Sequence, residues 1–459
     1  MRAYSEYSQI DVKWLGVIPS HWDCEKIGAL FTQRKEKVSD KDFAPLSVTK
    51  NGILPQLSNA AKSNDGDNRK LVRTGDFVIN SRSDRKGSCG VSSSDGSVSL
   101  INIVLTPRQD LNSRYVHYLL RSQPFSEEYY RYGRGIVADL WTTRYSEMKN
   151  IYIPIPPRSE QDQIVCYLDW QVSKINKLIA AKKKQIVFLK ECRKAVIDTA
   201  ILHGMNKHTE EKDSGVYWLG RIPASWEVLS LRRICSINAS ISHLIKKLPS
   251  DELVVFLPME SVSTEGIVDC SQKKPLHEVR TGYSSFARND VVVAKITPCF
   301  ENGKGACLDK LDTEIGFGTT EFINIRASEK VLPQYLYYIT ITQPFRILGA
   351  EVMTGSAGQK RISTDFIKNF TLGIPDIKEQ QELLNILNDN LLKIDNAIQL
   401  VASTIDKLQE YRTRLISDAV TGQIDVRDIV IPEYEYVEEE SNDEPDDTLI
   451  EDNEGMELS

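Results

Sequence analysis

The sequence lacks the features that place a chain in a membrane or an oxidising compartment. No apolar run approaches the length of a membrane span, and the N-terminal residues MRAYSEYSQIDVKW contain no apolar leader region. The eight cysteines are scattered, and no two of them form a C-x-x-C pair or another regular metal-ligand spacing. These absences predict a reduced, cytoplasmic protein with no metal site.

Recognisable catalytic motifs are also missing. The sequence contains neither a G-x-x-x-x-G-K-[ST] phosphate loop nor an H-E-x-x-H metal motif. We find no Asn/Asp-Pro-Pro-aromatic signature of an amino-methyltransferase and no nuclease pattern of spaced carboxylates with a lysine. The six histidines are scattered and are interpreted as surface or structural residues. The sequence therefore predicts a chain that is not an enzyme.

The acidic residues are concentrated at one end of the chain. The formal net charge is -7, but 13 acidic residues and no Lys or Arg lie between Ile431 and Ser459. The rest of the chain is therefore basic, so nucleic-acid binding is not excluded. So acidic a segment, poor in core-forming residues, predicts a disordered tail over residues 427–459. A less favoured interpretation is an internal DNA mimic that competes for a basic groove.

The chain is a duplicated unit. The motif WLGVIPSHW at Trp14–Trp22 returns as WLGRIPASW at Trp218–Trp226, 204 residues further on. The triplet Gln123–Phe125 returns 220 residues later at Gln343–Phe345. The segment Pro156–Gln161 returns at Pro375–Gln380, 219 residues later.

Each half ends in what the pattern predicts to be one long helix. Ser159 with Asp162, and Asp376 with Glu379, have capping-box spacing, while Gly204 and Gly422 are placed as C-terminal stops. Apolar residues alternate at spacings of 3 and 4, which favours the two helices packing on each other over separate packing of each. We call the positions that would meet the helix-pair seam: Leu168, Ile175, Ile179, Ile186, Leu189, Leu387, Leu391, Ile394, Ile398 and Leu408.

Charge on the seam indicates the direction of packing. Arg193 and Arg412 are equivalent, so a parallel, in-register pair would place two like charges in one apolar layer. Antiparallel packing separates them, and it predicts an approximate two-fold axis between the halves.

About 150 residues of mixed character precede each helix. Short apolar runs between Gly/Asn/Ser turns are typical of strands, and they lie at Asp76–Asn80, Leu100–Leu105, Leu253–Leu257, Asp290–Ile296 and Glu321–Ile325. The predicted fold class is mixed α/β: two homologous globular domains separated by two long antiparallel coiled-coil helices. The first globular domain is predicted over 1–157 and the first long helix over 158–205. The second globular domain is predicted over 206–375, the second long helix over 376–426 and the acidic tail over 427–459.

This arrangement resembles the specificity subunit of type I restriction-modification systems. The resemblance covers residues 7–430. Each half begins with a W-L-G-x-I-P-x-x-W motif and ends in a long helix that follows P-x-x-x-E-Q. Its strongest local matches are GTTEFI at Gly318–Ile323, QKRIS at Gln359–Ser363, and LISDAVTGQIDV at Leu415–Val426. The first half departs from the pattern, because IVADLWTTR at Ile136–Arg144 replaces the QKRIS-type sequence.

The resemblance implies a non-catalytic subunit with two target-recognition domains, one for each part of a split double-stranded DNA site. The helices would act as a spacer and dock two methyltransferase subunits, and restriction subunits can join. The chain itself would hold no cofactor, since S-adenosylmethionine, Mg²⁺ and ATP belong to the partner subunits.

Basic, turn-rich segments are the natural suppliers of DNA contacts, because phosphates attract Lys and Arg and base edges are read by Arg, Lys, Asn and Gln. An ordinary solvated surface explains each residue equally well, so the clusters rather than single residues carry the prediction. The candidates are Arg82, Arg85, Lys86, Arg131, Arg134, Arg144, Lys295, Lys304, Gln359, Lys360 and Arg361. The alternative function is a helical adaptor whose globular domains bind protein rather than DNA.

Overall fold

The strand-like runs of the sequence become β-strands in a computed structural model of the chain. The structure describes residues 2–56, 66–82, 85–135, 141–206, 208–356 and 358–437. The chain divides into two compact units, unit 1 from residues 1–184 with 402–459 and unit 2 from residues 185–401. Within the described ranges, no helix has both the length and the hydropathy needed to cross a membrane.

The strands of unit 1 are short and fall before the first long helix. They are β1 (Tyr7–Gln9), β2 (Val17–Pro19), β3 (Asp23–Lys26), β4 (Phe31–Arg34), β5 (Lys37–Val38), β6 (Leu46–Thr49), β7 (Gly52–Pro55), β8 (Arg69–Val72), β9 (Phe77–Asn80), β10 (Cys89–Val91), β11 (Gly96–Val98), β12 (Asn102–Pro107) and β13 (Tyr152–Ile155).

The strands of unit 2 fall between the two long helices. They are β14 (Glu211–Asp213), β15 (Arg221–Pro223), β16 (Glu227–Ser230), β17 (Cys235–Ile237), β18 (Leu253–Leu257), β19 (Lys273–Pro275), β20 (Ser284–Ala287), β21 (Val291–Ala294), β22 (Gly305–Cys307), β23 (Ile315–Gly318), β24 (Phe322–Ala327), β25 (Thr354–Ser356), β26 (Gln359–Arg361) and β27 (Thr371–Ile374).

Two helices are far longer than the others. The helices are α1 (Ile27–Leu30), α2 (Ser113–Arg121), α3 (Gln123–Arg131), α4 (Tyr145–Met148), α5 (Arg158–Leu202), α6 (Ser242–Ile245), α7 (Leu276–Val279), α8 (Pro333–Ile341), α9 (Gln343–Glu351), α10 (Thr364–Asn369) and α11 (Ile377–Val420). The five apolar runs predicted to be strands overlap β9, β12, β18, β21 and β24, and the predicted mixed α/β class is confirmed.

The duplication is visible in the sheets. Unit 1 has a four-stranded sheet in the order β10-β9-β12-β4, and unit 2 has the same sheet in the order β22-β21-β24-β17. In both, the second strand is almost wholly buried, as Phe77–Ile79 and as Val291–Ala294. The antiparallel pair β3·β13 that precedes α5 likewise returns as β16·β27 before α11.

The repeated Trp and Glu-Gln motifs fasten each domain to its helix. The indole Nε1 of Trp22 donates to Glu160 at 3.1 Å, and that of Trp226 donates to Glu379 at 2.9 Å. The neighbouring glutamines, Gln161 and Gln380, accept from the backbone N–H of Asn112 and of Leu332 just before α2 and α8. The Trp and Glu-Gln motifs thus connect three separate chain segments by hydrogen bonds in each unit.

The long helices pack antiparallel within each unit. In unit 1, Gln163 donates to the carbonyls of Val426 and Ile429, while Asn176 accepts from Arg412 at 2.8 Å. Residue numbers therefore rise along α5 as they fall along the segment beside it. In unit 2, residues from the C-terminal end of α5 share one core with residues from the N-terminal part of α11: Ile197, Ala200, Ile201, Leu383, Leu384 and Leu387.

Arg193 and Arg412, the two equivalent arginines of the long helices, each donate to a polar side chain. Arg193 donates to Asp395 at 3.1 Å inside unit 2, and Arg412 donates to Asn176 inside unit 1. The predicted antiparallel direction, which avoids placing the two guanidinium groups in one layer, is confirmed.

Burial differs along the predicted helix-pair seam. Its buried members are Leu168, Ile175, Ile179, Leu387 and Leu391. Its half-buried members are Ile186, Leu189, Ile394, Ile398 and Leu408. Apolar residues near the C-terminal ends, such as Ile201 and Ala419, are also fully buried, so each long helix is most deeply enclosed towards its two ends.

The helix ends agree only in part with the sequence signals. Gly204 and Gly422 adopt φ of +75° and +76° just after α5 and α11, so both predicted stops are confirmed. Asp376 caps α11 by accepting from the Glu379 N–H at 2.8 Å. The capping box predicted at Ser159 is wrong: α5 begins at Arg158, and the Asp162 carboxylate accepts from the side-chain amide of Asn112 instead.

The segment 427–437 has a defined path in unit 1. Val437 donates its N–H to Ser173 and accepts from the Asn176 side chain, each at 3.1 Å. Tyr436 lies 5.3 Å from the Arg114 guanidinium carbon, measured from the ring centroid, and Glu435 pairs with Lys177. We call residues 427–437 the strap. The disorder predicted from residue 427 onward does not hold for the strap, and residues 438–459 of the predicted tail lie outside the described residues.

Candidate nucleic-acid interface

Three separate segments of unit 2 meet at the end of β21. The Lys295 N–H donates to the Glu321 carbonyl at 2.8 Å, and the Lys295 carbonyl accepts from the Ile362 N–H at 2.9 Å. The Thr297 N–H donates to the Lys360 carbonyl at 3.0 Å, while the Thr297 hydroxyl accepts from the Lys360 N–H. These bonds place the GTTEFI and QKRIS motifs side by side, although about 40 residues separate them in the chain.

An ion pair joins the two motifs. The Nε of Arg361 lies 3.0 Å from one carboxylate oxygen of Glu321, and its Nη2 lies 3.0 Å from the other. Such two-pronged pairing fixes the plane of the guanidinium group. The hydrogen bonds and the negative charge raise the pKa of Arg361, so the group stays charged.

Arg361 lines a polar cleft on the surface of unit 2. The cleft is open to solvent, and its wall also contains Lys295, Asn238, Tyr283 and Thr320. Lys295 is half-buried, whereas Tyr283 is exposed. The cleft therefore combines cationic and amide donors with an aromatic edge, which suits a nucleic-acid ligand.

Unit 1 has the same backbone framework with different side chains. The Thr143 N–H donates to the Ser81 carbonyl as that of Ile362 donates to Lys295. Thr142 forms isolated bridges with Arg82 and with Arg134, in the positions that Arg361 takes against Ile296 and Thr354 in unit 2. The end of the departing IVADLWTTR segment thus occupies the place of KRIS, while residues 136–140 lie outside the described residues.

A separate pocket of unit 1 lies against α3 and is lined by aromatic side chains. Trp141 stacks on Tyr130 with ring centroids 6.1 Å apart, and its indole donates to the Tyr130 carbonyl. The Lys86 ammonium lies 5.1 Å from the Tyr130 ring centroid, and Arg82 lines the same pocket. The two units therefore present different chemistry on one scaffold.

Some DNA-contact candidates of unit 2 lie together on its surface, and one donates a hydrogen bond within the domain. Gln359, Lys360 and Arg361 are exposed on β26, and Arg361 lines the cleft together with Lys295. Lys304 is half-buried and donates to the Met259 carbonyl at 3.0 Å, so it stabilises a loop of unit 2.

Two of the basic candidates of unit 1, Arg82 and Lys86, line its aromatic pocket. Arg82 and Lys86 are exposed in its wall, Arg85 is half-buried, and Arg144 is exposed just before α4. Arg131 forms a two-pronged pair with Glu128 at 2.7 and 2.6 Å, and the pairing raises its pKa. Arg134 lies 4.0 Å from Glu147. The role of all these residues in DNA binding stays a prediction.

Sequence reasoning missed several residues of the cleft in unit 2 and of the pocket in unit 1. Asn238, Tyr283 and Thr320 in unit 2, and Tyr130 in unit 1, carry no local signal that separates them from other loop residues. Glu321 lies inside a quoted motif, yet its pairing with Arg361 depends on the fold. Among the described residues, no group of three His, Cys, Asp or Glu side chains is arranged to hold a metal ion.

Comparisons with known proteins identify a family model and several relatives that match parts of this chain. Residues 277–410 match the family model of the type I restriction modification DNA specificity domain. The specificity subunit of the type I restriction enzyme EcoEI from Escherichia coli is 32% identical over 205 residues, which are 44% of this chain and 34% of that relative. The chain thus matches about a third of the length of this curated relative.

Two solved structures share the fold of most of the chain. A chain from a study of complex assembly and conformational transition of the type I R-M system matches with a TM-score of 0.63 at 12% identity, covering 89% of this chain and 99% of that one. The HsdS subunit from Thermoanaerobacter tengcongensis matches with a TM-score of 0.50 at 13% identity, covering 89% and 98%. The resemblance predicted from the sequence is thus supported: residues 277–410 match the model of the type I restriction modification DNA specificity domain, in a chain that has the fold of these two solved structures.

Proposed function

We propose that this chain is the DNA sequence-specificity subunit of a type I restriction-modification complex. Each unit binds one part of a split double-stranded DNA site, and the long helices dock two methyltransferase subunits, to which restriction subunits can be added. The chain works in the cytoplasm, catalyses no reaction and holds no cofactor, since S-adenosylmethionine, Mg²⁺ and ATP are used by the partner subunits.

One observation carries this proposal. The same four-stranded sheet occurs once in each unit, and the equivalent strand ends carry Lys295 and Arg361 in unit 2 but Ser81 and Thr142 in unit 1. Two domains that bind different DNA sequences require such a scaffold, with different side chains at the position that contacts the bases. The comparisons do not favour the alternative of a protein-binding adaptor.

The test exchanges one reading surface and leaves the rest of the chain. Residues 31–148 are replaced by the equivalent segment of a relative, which preserves the β3·β13 pair and α5. Methylated bases are then sequenced in DNA from cells that carry the native chain, the exchanged chain or neither, each with the same methyltransferase. We expect one part of the methylated site to change and the other to persist. The mirrored exchange of residues 235–368 is the control and should change the other part. A site that changes in both parts, or methylation that does not depend on this chain, would contradict the proposal.

A further inference from the structure

The Glu321–Arg361 pair occupies only one side of the guanidinium group. Arg361 has five N–H donors, and the carboxylate of Glu321 takes the Nε side through Nε and one hydrogen of Nη2. The opposite edge, formed by Nη1 and the second hydrogen of Nη2, presents two parallel donors. The Glu321 side chain is 24% exposed and that of Arg361 44%, so the carboxylate lies on the more buried side of the pair.

The backbone around the pair is fixed. Lys295 binds both motif segments through its own N–H and carbonyl, and Thr297 holds Lys360 by two further hydrogen bonds. The Arg361 side chain therefore projects from a braced strand rather than from a free loop, with 44% of its side-chain surface exposed. A bound arginine of this kind loses little conformational entropy when a ligand arrives.

From this geometry we infer that Arg361, positioned by Glu321, reads a guanine in the part of the DNA site bound by unit 2. The major-groove edge of guanine carries two acceptors, O6 and N7, and a two-pronged arginine contact matches them. The inference rests on the proposed function and names one base and one residue within it.

Electrostatics favours a base edge over a phosphate at this position. The Glu321 carboxylate neutralises the guanidinium charge and would repel a phosphate oxygen at close range, whereas a neutral base edge meets only the free donors. Lys360, exposed beside the pair, is the better placed cation for the backbone.

Unit 1 does not repeat the pair. Thr142 takes the position of Arg361, and Ile101, which precedes β12, takes that of Glu321. The contact made by a carboxylate-positioned arginine is therefore assigned to unit 2.

The test selects duplexes from a library randomised over the target site, using the full-length chain assembled with its methyltransferase subunits. We compare the native chain with Arg361→Lys, which keeps the charge and loses the fork, and with Glu321→Gln, which keeps the size and loses the charge. The double variant Glu321→Gln/Arg361→Gln leaves no stranded carboxylate. Lys368→Ala is the matched control, since Lys368 is an exposed cation of the same unit that pairs with Asp365 at 3.3 Å.

We expect the native chain to select guanine at one position of one part of the site. Arg361→Lys and the double variant should lose that preference by about 10- to 100-fold at this position alone. Glu321→Gln should weaken the preference in part, and Lys368→Ala should leave it unchanged. The slope of log affinity against log salt should stay the same in Arg361→Lys.

Each contrary outcome has a distinct meaning. Guanine retained in both Arg361 variants overturns the inference. Loss in these variants with full preference in Glu321→Gln removes the positioning role of Glu321. A salt slope that becomes shallower by about one unit in the double variant, with an unchanged preference, assigns Arg361 to phosphate instead. Failure of the native complex to select any sequence contradicts the proposed function itself.

Discussion

At the scale of single residues, the two equivalent glutamates that begin the long helices have different surroundings. The Glu160 side chain is 5% exposed and accepts from Trp22, His21 and the Tyr4 hydroxyl. Burial, and then the hydrogen bond to Glu160, raise the pKa of Tyr4 well above its ordinary value, so the phenol stays protonated and donates. Glu379 is half-buried and accepts from Trp226.

We therefore expect Glu160→Ala to destabilise unit 1 more than Glu379→Ala destabilises unit 2. Removing a buried acceptor leaves its donors unsatisfied at about 1–3 kcal/mol each, so Glu160→Ala should cost roughly 3 kcal/mol or more and Glu379→Ala about 1. Hydrogen exchange of the full chain, read separately over residues 2–34 and 221–237, measures both effects. Equal protection losses in the two units would contradict this interpretation.

At the scale of elements, α11 carries leucines in opposite environments. Leu387 is fully buried in the core of unit 2, whereas Leu392 is 60% exposed. Because they share one residue type and one helix, they separate the contribution of packing from that of helix propensity.

Leu387→Ala should destabilise unit 2 by about 3 kcal/mol, since it removes buried methyl groups and leaves a cavity. Leu392→Ala should change stability by no more than about 0.5 kcal/mol. Hydrogen exchange of the slowest amides in unit 2, measured with increasing urea, gives the two free energies. A loss of no more than about 0.5 kcal/mol in Leu387→Ala as well would mean that the seam does not stabilise this unit.

Elements were predictable wherever one local pattern dominated. The alternating 3 and 4 spacing gave both long helices, and Gly204 and Gly422 gave their ends. The spacing of Ser159 and Asp162 predicts a capping box, but the Asp162 carboxylate accepts from Asn112, which lies 50 residues earlier. The pairing of Glu321 with Arg361 likewise joins residues 40 positions apart, and no local periodicity encodes it.

At the scale of the whole molecule, both ends of the chain contribute to unit 1. The Asp425 N–H donates to the Arg2 carbonyl at 2.9 Å, and the strap continues to Ser173 and Asn176, both buried. The composition of residues 427–459 predicted disorder because it averages the strap, with Tyr434, Tyr436 and Val437, into a strongly acidic segment.

Shortening the chain to residue 432 should therefore loosen unit 1 alone. It removes the contact of Arg114 with Tyr436 and those of Ser173 and Asn176 with Val437, so amides over residues 169–177 should exchange faster, while residues 388–396 of α11 in unit 2 stay unchanged. Ending the chain at Val437 is the control, because it removes acidic residues and keeps the strap contacts. Faster exchange after both truncations would show that the strap contacts are not the cause.

The division of the chain between the units also determines the order in which they are completed during translation. Unit 2 is one uninterrupted stretch, residues 185–401, whereas unit 1 needs residues 1–184 and residues beyond 401. At translation rates of roughly 5–20 residues per second, the first part of unit 1 waits on the order of 10–40 seconds for the rest. The N-terminal domain is thus the first to leave the ribosome and the last to be finished. Its incomplete helix surface is what a chaperone would meet on the nascent chain.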